Sequence, residues 1–544
     1  MPSLLFYYII SLVIFYLIGR SFFIIFKFDK NKVFDVRIEN FYLVIGLIVA
    51  SQILFLFNFF SGLSEFNLIL SLIPFLIINS IRFSFPKFSS KSFLKILIIF
   101  IFFISFFDIG LSKDSYLYHL SSQNWLYSEK IVFGLSNLNP YLGYMSISEY
   151  SSALLNEINL NLAHVFNLIF LITFFTTIIE FISSENFFYR NIAFSLGIFG
   201  VLDNFGFDGG RNGFIAIQEI NKFDYSFSII SFLFVIFSLN HLLYKNRISN
   251  IELLTLSLFL IFAIQMRIIG VVLFILFLTI LIKFKQFKSY SHFSFLLLLA
   301  WMIKNIINTS CIFYPIPQTC IKSNWLFINQ AEYINRIVLD SFRDPENGIN
   351  SLDNFYWIIE VFIPSNKNII FNFFISVALL RVFFTIYSKI ANTKKNKFKI
   401  IYFLSSLSFI LFWIFFLPQY RFSSFFLMVA LIIFNFDLMK TDFKINHFIN
   451  LSLTIVSLIL VINLNDYKSF INDPFSELKI ELPIVEYIEM PFYGVVPNSE
   501  NSKGILCFQR TDCYSGKYNL ILEEQNGYKF IKPIDTDYYS KLIN

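Results

Sequence analysis

The chain has 544 residues, of which 56% are hydrophobic and only 14% charged, and its mean hydropathy is +0.67. Soluble domains carry about a quarter charged residues, so the composition excludes a water-soluble globular protein and points to an integral membrane protein. The net charge of +6 would suggest nucleic acid in a soluble chain, but in a membrane chain Lys and Arg placement reports orientation, and no nucleic-acid partner is expected.

Apolar runs of bilayer-crossing length predict fourteen transmembrane helices, near residues 3–26, 41–60, 66–81, 93–107, 162–182, 191–201, 225–244, 251–265, 268–282, 293–307, 369–387, 400–417, 422–436 and 448–464. The first has no small-residue cleavage site behind it and reads as a retained helix rather than a signal peptide. The 77 Phe residues fit the codon bias of an AT-rich genome and serve as lipid-facing bulk. Threading the spans puts the Lys- and Arg-rich loops at 27–37, 82–95, 245–247, 283–288, 389–399 and 440–444, with Arg190, on one side. The opposite short loops hold only Lys113, Lys130, Arg211, Lys222, Arg267 and Arg421. The positive-inside rule then places both termini and the loop between Asp108 and Ser151 outside the cytoplasm. The expected architecture is an all-α polytopic membrane core over residues 1–464, including outer loop 108–150 and outer segment 311–367, followed by a periplasmic domain of mixed α/β or β-rich character over 465–544.

The 108–150 loop is the richest in chemistry. A helix starting near Asp114 puts Asp114 and Tyr118 one turn apart with His119 beside them, and a carboxylate at such a spot can act as general base. The alternative is that Asp114 caps the helix that follows. Farther on, the run from Gly134 to Ser146, with Asn137 and Asn139, offers amides and hydroxyls suited to sugar or phosphate oxygens. Arg211 lies in a Gly-rich turn, Asp224 opens the seventh span, Lys304 stands one turn from the outer end of the tenth, and Arg421 opens the thirteenth. Ionisable groups at membrane depth are functional candidates, and Lys304 and Arg421 could grip a lipid phosphate.

All four cysteines, Cys311, Cys320, Cys507 and Cys513, fall on the outer side, where two close pairs read as disulfides, although three connectivities are open. After residue 464, Pro474, Pro483, Pro491 and Pro497 break any long helix. Short runs around 504–508, 518–522 and 528–531, the last two flanking Gln525-Asn526-Gly527, predict strands.

Asp114-x-x-x-Tyr118-His119-Leu120, Trp125, the Gly134 to Leu138 run and Gly143-Tyr144-Met145-Ser146 resemble bacterial multi-spanning proteins of the GT-C glycosyltransferase type found with surface-polysaccharide enzymes. The stretch from Trp301 through Lys304 and Cys311 to Trp325, and Pro418-Gln419-Tyr420-Arg421-Phe422, are similar to further blocks of that group. The resemblance implies a polyprenyl-phosphate-linked sugar as donor, a glycan or lipid-linked acceptor and an inverting transfer at the periplasmic face of the bacterial inner membrane. Asp114 would be the base, Tyr118 and His119 its neighbours in the catalytic group, and Asn137, Arg211, Asp224, Lys304 and Arg421 the substrate-binding set. No particular cofactor is implied, and a divalent metal is left open. The chain departs from the group in having four spans before the acid rather than one, and Pro140-Tyr141 where a basic residue is expected. An O-antigen polymerase or ligase shares the span count but relies on Arg-rich outer loops. A transporter or accessory protein of polysaccharide assembly is the alternative from another class, although internal symmetry of the kind transporters show is not evident.

Overall fold

The computed structural model describes residues 2–26, 32–64, 73–75, 77–79, 90–112, 114–205, 217, 219–286, 291–327, 329–343, 357–387, 424–435, 447–475, 480, 482, 486–490, 493–497, 511, 513 and 518–543. Helices dominate. In chain order they are α1 (Pro2–Ile25), α2 (Tyr42–Asn58), α3 (Ser90–Phe103), α4 (Leu120–Ser128), α5 (Ser148–Ile158), α6 (Val165–Ile182), α7 (Phe187–Phe205), α8 (Asp224–Tyr244), α9 (Asn250–Met266), α10 (Leu273–Phe284) and α11 (Ser291–Thr309). After these come α12 (Gln330–Arg343), α13 (Ile363–Tyr387), α14 (Ser424–Phe434), α15 (His447–Val461), α16 (Leu464–Asn472) and α17 (Tyr538–Ile543). Among the described residues the strands form three antiparallel pairs: β1 (Lys32–Val33) with β2 (Val36–Arg37), β3 (Tyr487–Glu489) with β4 (Val495–Pro497), and β5 (Leu520–Gln525) with β6 (Tyr528–Pro533).

The expectation of fourteen spans is corrected. Among the described residues three helices, Ser3–Ile25, Leu160–Ile182 and Asp224–Tyr244, are long and apolar enough to cross a membrane, and the number rises to five if two bent pairs each count as one. The difference has a local cause: Tyr42–Asn58, Phe93–Phe106, Asn250–Met266, Ile268–Phe284, Phe293–Thr309 and Phe425–Phe434 are apolar but only 10–17 residues long. Apolar runs that look continuous are broken by backbone turns. At Arg267 the chain is extended (φ −147°, ψ 129°) and a 3-10 turn intervenes before α10. The expected spans at 66–81 and 400–417 lie wholly or largely outside the described residues.

Burial sorts the helices into a centre and a rim. The windows of Leu160–Ile182 and Asp224–Tyr244 are 89% buried, against 50% for Ser3–Ile25. On the rim, α11 turns Phe293, Leu296, Leu299 and Ile303 outward while Ser294, Lys304 and Asn308 are buried. This is the reverse of a helix that faces water, and the arrangement a lipid surface requires. Helices α1 and α2 cross at two glycines: a Cβ on Gly19 would stand 1.8 Å from the Tyr42 carbonyl oxygen, and one on Gly46 1.7 Å from that of Phe15. Small residues at such crossings let backbones meet where no water drives association.

Helix α8 links two distinct ends. Asp224, in its first turn, pairs with Arg267, whereas Lys245, just past its last residue, pairs with Asp35 at 2.8 Å. At about 1.5 Å per residue, its 21 residues separate these pairs by roughly 30 Å. At the Lys245 end, Arg37 pairs with Glu180 at 3.2 Å. There the β1–β2 turn, with Phe34 and Asp35 both at positive φ, inserts the Phe34 ring flat against Phe237, 4.4 Å between centroids. These are segments that the basic loops predict to be cytoplasmic. The loops predicted to be outer meet at the other end. Ser115 Oγ donates to Ile220 O at 2.8 Å, Lys304 Nζ to Met145 O at 3.1 Å, and Ile147 N to Gln265 O at 3.2 Å.

The C-terminal hairpin docks on that same end. The tight turn expected at Gln525-Asn526-Gly527 is present, with Asn526 and Gly527 at φ 52° and 74°, a combination that favours two-residue hairpin connections. Phe133 extends the sheet from outside it: its N–H donates to Lys529 O and its carbonyl accepts from Ile531 N, both at 2.9 Å. The run expected around 504–508 lies outside the described residues.

Candidate active site

The site is assembled from loop 108–150, the start of α8 and the break after α9. Ser112 begins it: its Oγ accepts from Ser115 N at 3.0 Å and lies 2.8 Å from Ser115 Oγ. That is the capping contact foreseen for Asp114, whose own side chain makes no capping bond. The segment Ser115–His119 then forms a π-helical turn leading into α4, a form often associated with functional positions. Asn139 fastens the far side of the loop. Its Nδ2 donates to Leu117 O at 3.0 Å while its Oδ1 accepts from Tyr141 N at 3.0 Å, bringing the Tyr141 ring to 6.0 Å from that of Tyr118.

Of the residues singled out in the sequence, Asp114 is within electrostatic reach of Tyr118, whose ring lies 4.2 Å from that of His119, and Asp224 reaches Tyr118 from α8. Asp224, 2% exposed, forms an ion pair with Arg267, whose side chain is 35% exposed. Burial alone would lower the Arg267 pKa, but the Asp224 carboxylate and, after it, that of Asp114 outweigh it and hold the guanidinium above its ordinary value. The Tyr118 phenol is pushed up by burial first and by the Asp114 carboxylate second, with Arg267 opposing. The Tyr141 phenol is raised by burial and then by Asp114. Both hydroxyls therefore remain protonated donors at neutral pH, next to a carboxylate and a fixed guanidinium. Such a group can accept a proton from a hydroxyl and hold a phosphate oxyanion at the guanidinium.

The other foreseen residues are placed differently. Asn137 is a staple: its Nδ2 donates to Trp325 O at 2.6 Å and to Ile531 O at 2.7 Å, tying the loop to the outer segment and the C-terminal hairpin. Lys304, 1% exposed, donates to Met145 O and lies 4.4 Å from the Trp301 ring centroid. It clamps the loop from below, within electrostatic reach of Glu149. Arg211 and Arg421 lie outside the described residues. Cys311 and Cys320 are joined by a disulfide, and Cys513 is disulfide-bonded, while Cys507 lies outside the described residues.

Three site residues were missed in the sequence. Arg267 was weighed only as a loop charge, although a single Arg between two apolar runs, 251–265 and 268–282, was the available signal. Glu149 and Gln123 flank the segments already singled out; Glu149 pairs with His119 and accepts from Gln123 at 2.8 Å. Among the described residues no group of three or more His, Cys, Asp or Glu is placed to hold a metal ion. A water-sized void of about 10 Å³ beside Trp125, Glu129 and Asn308 is apart from the Asp114 cluster.

These features define a predominantly helical protein with apolar helices and an acid–guanidinium pair at one end, its carboxylate buried and its guanidinium about a third exposed. Residues 1–428 match the profile of a family described as a domain of unknown function, DUF8201, and the chain belongs to that family. No curated protein and no solved structure matches it.

Proposed function

We propose that the chain is a polytopic, GT-C-like membrane glycosyltransferase. It moves a sugar from a polyprenyl-phosphate-linked donor to a glycan or lipid-linked acceptor at the periplasmic face of a bacterial inner membrane. The observation that carries this reading is the gathering of Asp114, Tyr118 and the Asp224–Arg267 pair from three separate parts of the chain. A lipid-borne sugar phosphate needs a cation near head-group depth and a base within one sugar of it.

In this reading an acceptor hydroxyl loses its proton to the Asp114 carboxylate as its oxygen bonds the anomeric carbon. The bond from that carbon to the phosphate oxygen breaks, and the charge gathering on the departing polyprenyl phosphate is met by Arg267. Arg267 takes the role that the resemblance implied for Lys304, which is engaged with Met145 and Trp301. Asp224 keeps the guanidinium in one plane, and Tyr118 supplies a neutral phenol between acid and cation.

The test is sugar transfer by the purified full chain in nanodiscs, using a panel of radiolabelled polyprenyl-phosphate hexoses. Asp114→Asn is expected to lower the rate by about 10²–10⁴-fold, the usual contribution of a general base, at unchanged protein yield. Equal transfer by Asp114→Asn and wild type would remove Asp114 from the chemistry, and an accessory or transport role would stand in its place.

A further inference from the structure

His119 is held from behind by a polar network that the transfer step does not use. Glu149, 1% exposed, engages His119 Nδ1 through Oε1 and accepts from Gln123 Nε2 through Oε2 at 2.8 Å. Gln123 donates its other hydrogen to Asn221 Oδ1 at 3.0 Å, and its own Oε1 accepts from Asn156 Nδ2 at 3.0 Å. In this orientation Gln123 donates to Oε2 of Glu149, which is therefore an acceptor. A carboxylate that accepts on both oxygens assigns the proton of the pair to Nδ1. In the neutral ring Nε2 then carries the lone pair, and among the described residues nothing hydrogen-bonds it. The ring is gripped by Tyr118 at 4.2 Å and edge-on by Phe223 at 5.5 Å.

Building on the glycosyl-transfer reading, we infer that Glu149 is a positioning residue. Backed by Gln123, it fixes the Nδ1–H tautomer of neutral His119 and so offers Nε2 as the hydrogen-bond acceptor for a hydroxyl of the acceptor substrate. Selection at this point is for a hydrogen-bond donor: a deoxy sugar would leave Nε2 unmatched. The proton itself still passes to Asp114, so no co-reactant is required.

The experiment uses the full chain labelled with 15N-histidine in detergent micelles at pH 9, with His119→Gln to assign the resonance. The wild type is expected to show a protonated Nδ1 and a bare Nε2 at His119, and Glu149→Gln to show both tautomers. A wild-type His119 protonated at Nε2, or a tautomer unmoved by Glu149→Gln, overturns the inference. The wild-type spectrum decides the matter alone should Glu149→Gln not fold. In the nanodisc transfer assay, Glu149→Gln is expected to raise KM for the acceptor about tenfold, the scale of one hydrogen bond, with donor KM unchanged. Absence of transfer by the wild type defeats the glycosyl-transfer reading only and leaves the tautomer to decide on Glu149.

Discussion

Arg267 and Asp224 illustrate how much depends on a single pair at the residue scale. Asp224 is almost fully buried, while Arg267 is about a third exposed, so the two halves are not equivalent. Removing the guanidinium strands a buried carboxylate; removing the carboxylate leaves a cation that can still reach water. Arg267→Ala is therefore expected to destabilise the protein by about 3 kcal/mol, the lower part of the range for broken buried pairs. Asp224→Asn in the Arg267→Ala background should restore most of that loss. Thermal unfolding of the three variants in detergent checks this, and a double variant no more stable than Arg267→Ala would show that the pair is not the source. The same comparison separates folding from chemistry, because the double variant keeps the fold without the phosphate-binding cation.

At the scale of elements, the crossing of α1 and α2 is decided by two glycines. A methyl at Gly46 would fall 1.7 Å from a backbone oxygen of Phe15, and backbone cannot move aside without parting the helices. Gly46→Ala is expected to cost about 1–3 kcal/mol or more, as overpacking does. Gly110→Ala, where nothing lies within 4 Å, serves as the neutral control. Equal melting temperatures for both variants would contradict the close crossing. Elements are also where sequence and structure parted. Composition identified the helices, and the Asn526-Gly527 pair identified the hairpin, since both signals are local. Hydropathy overstated the spans because it averages across breaks such as Arg267 and does not register backbone turns. The cluster of Asp114, Tyr118 and His119 was legible because it is contiguous in sequence. Its partners Arg267 and Glu149 were not: a lone Arg between two apolar runs marks Arg267 as unusual without saying what it pairs with, and Glu149 acquires meaning only from packing. Asn137 had the composition of a ligand-binding residue, yet its amide satisfies two backbone carbonyls, a demand that only the folded chain reveals.

For the whole molecule, the loops divide between two ends, with Glu129, Phe133 and the C-terminal hairpin at one and the β1–β2 turn with Lys245 at the other. In the proposed reading the asymmetry of Lys and Arg would orient the first of these outward. In spheroplasts, Glu157→Cys is expected to react with an impermeant maleimide, and Asn246→Cys only after lysis; the opposite pattern would invert the topology and remove the donor site from the periplasm. The central claim is that an acid and a guanidinium converge on one lipid-borne sugar phosphate. Its most direct test is photo-crosslinking of the full chain in nanodiscs with a diazirine-bearing polyprenyl phosphate, followed by peptide mapping. The expected adducts lie around residues 114–119 and 267 and disappear with excess unlabelled polyprenyl phosphate. Adducts confined to the end around Phe34 and Lys245, or unaffected by the competitor, would contradict it.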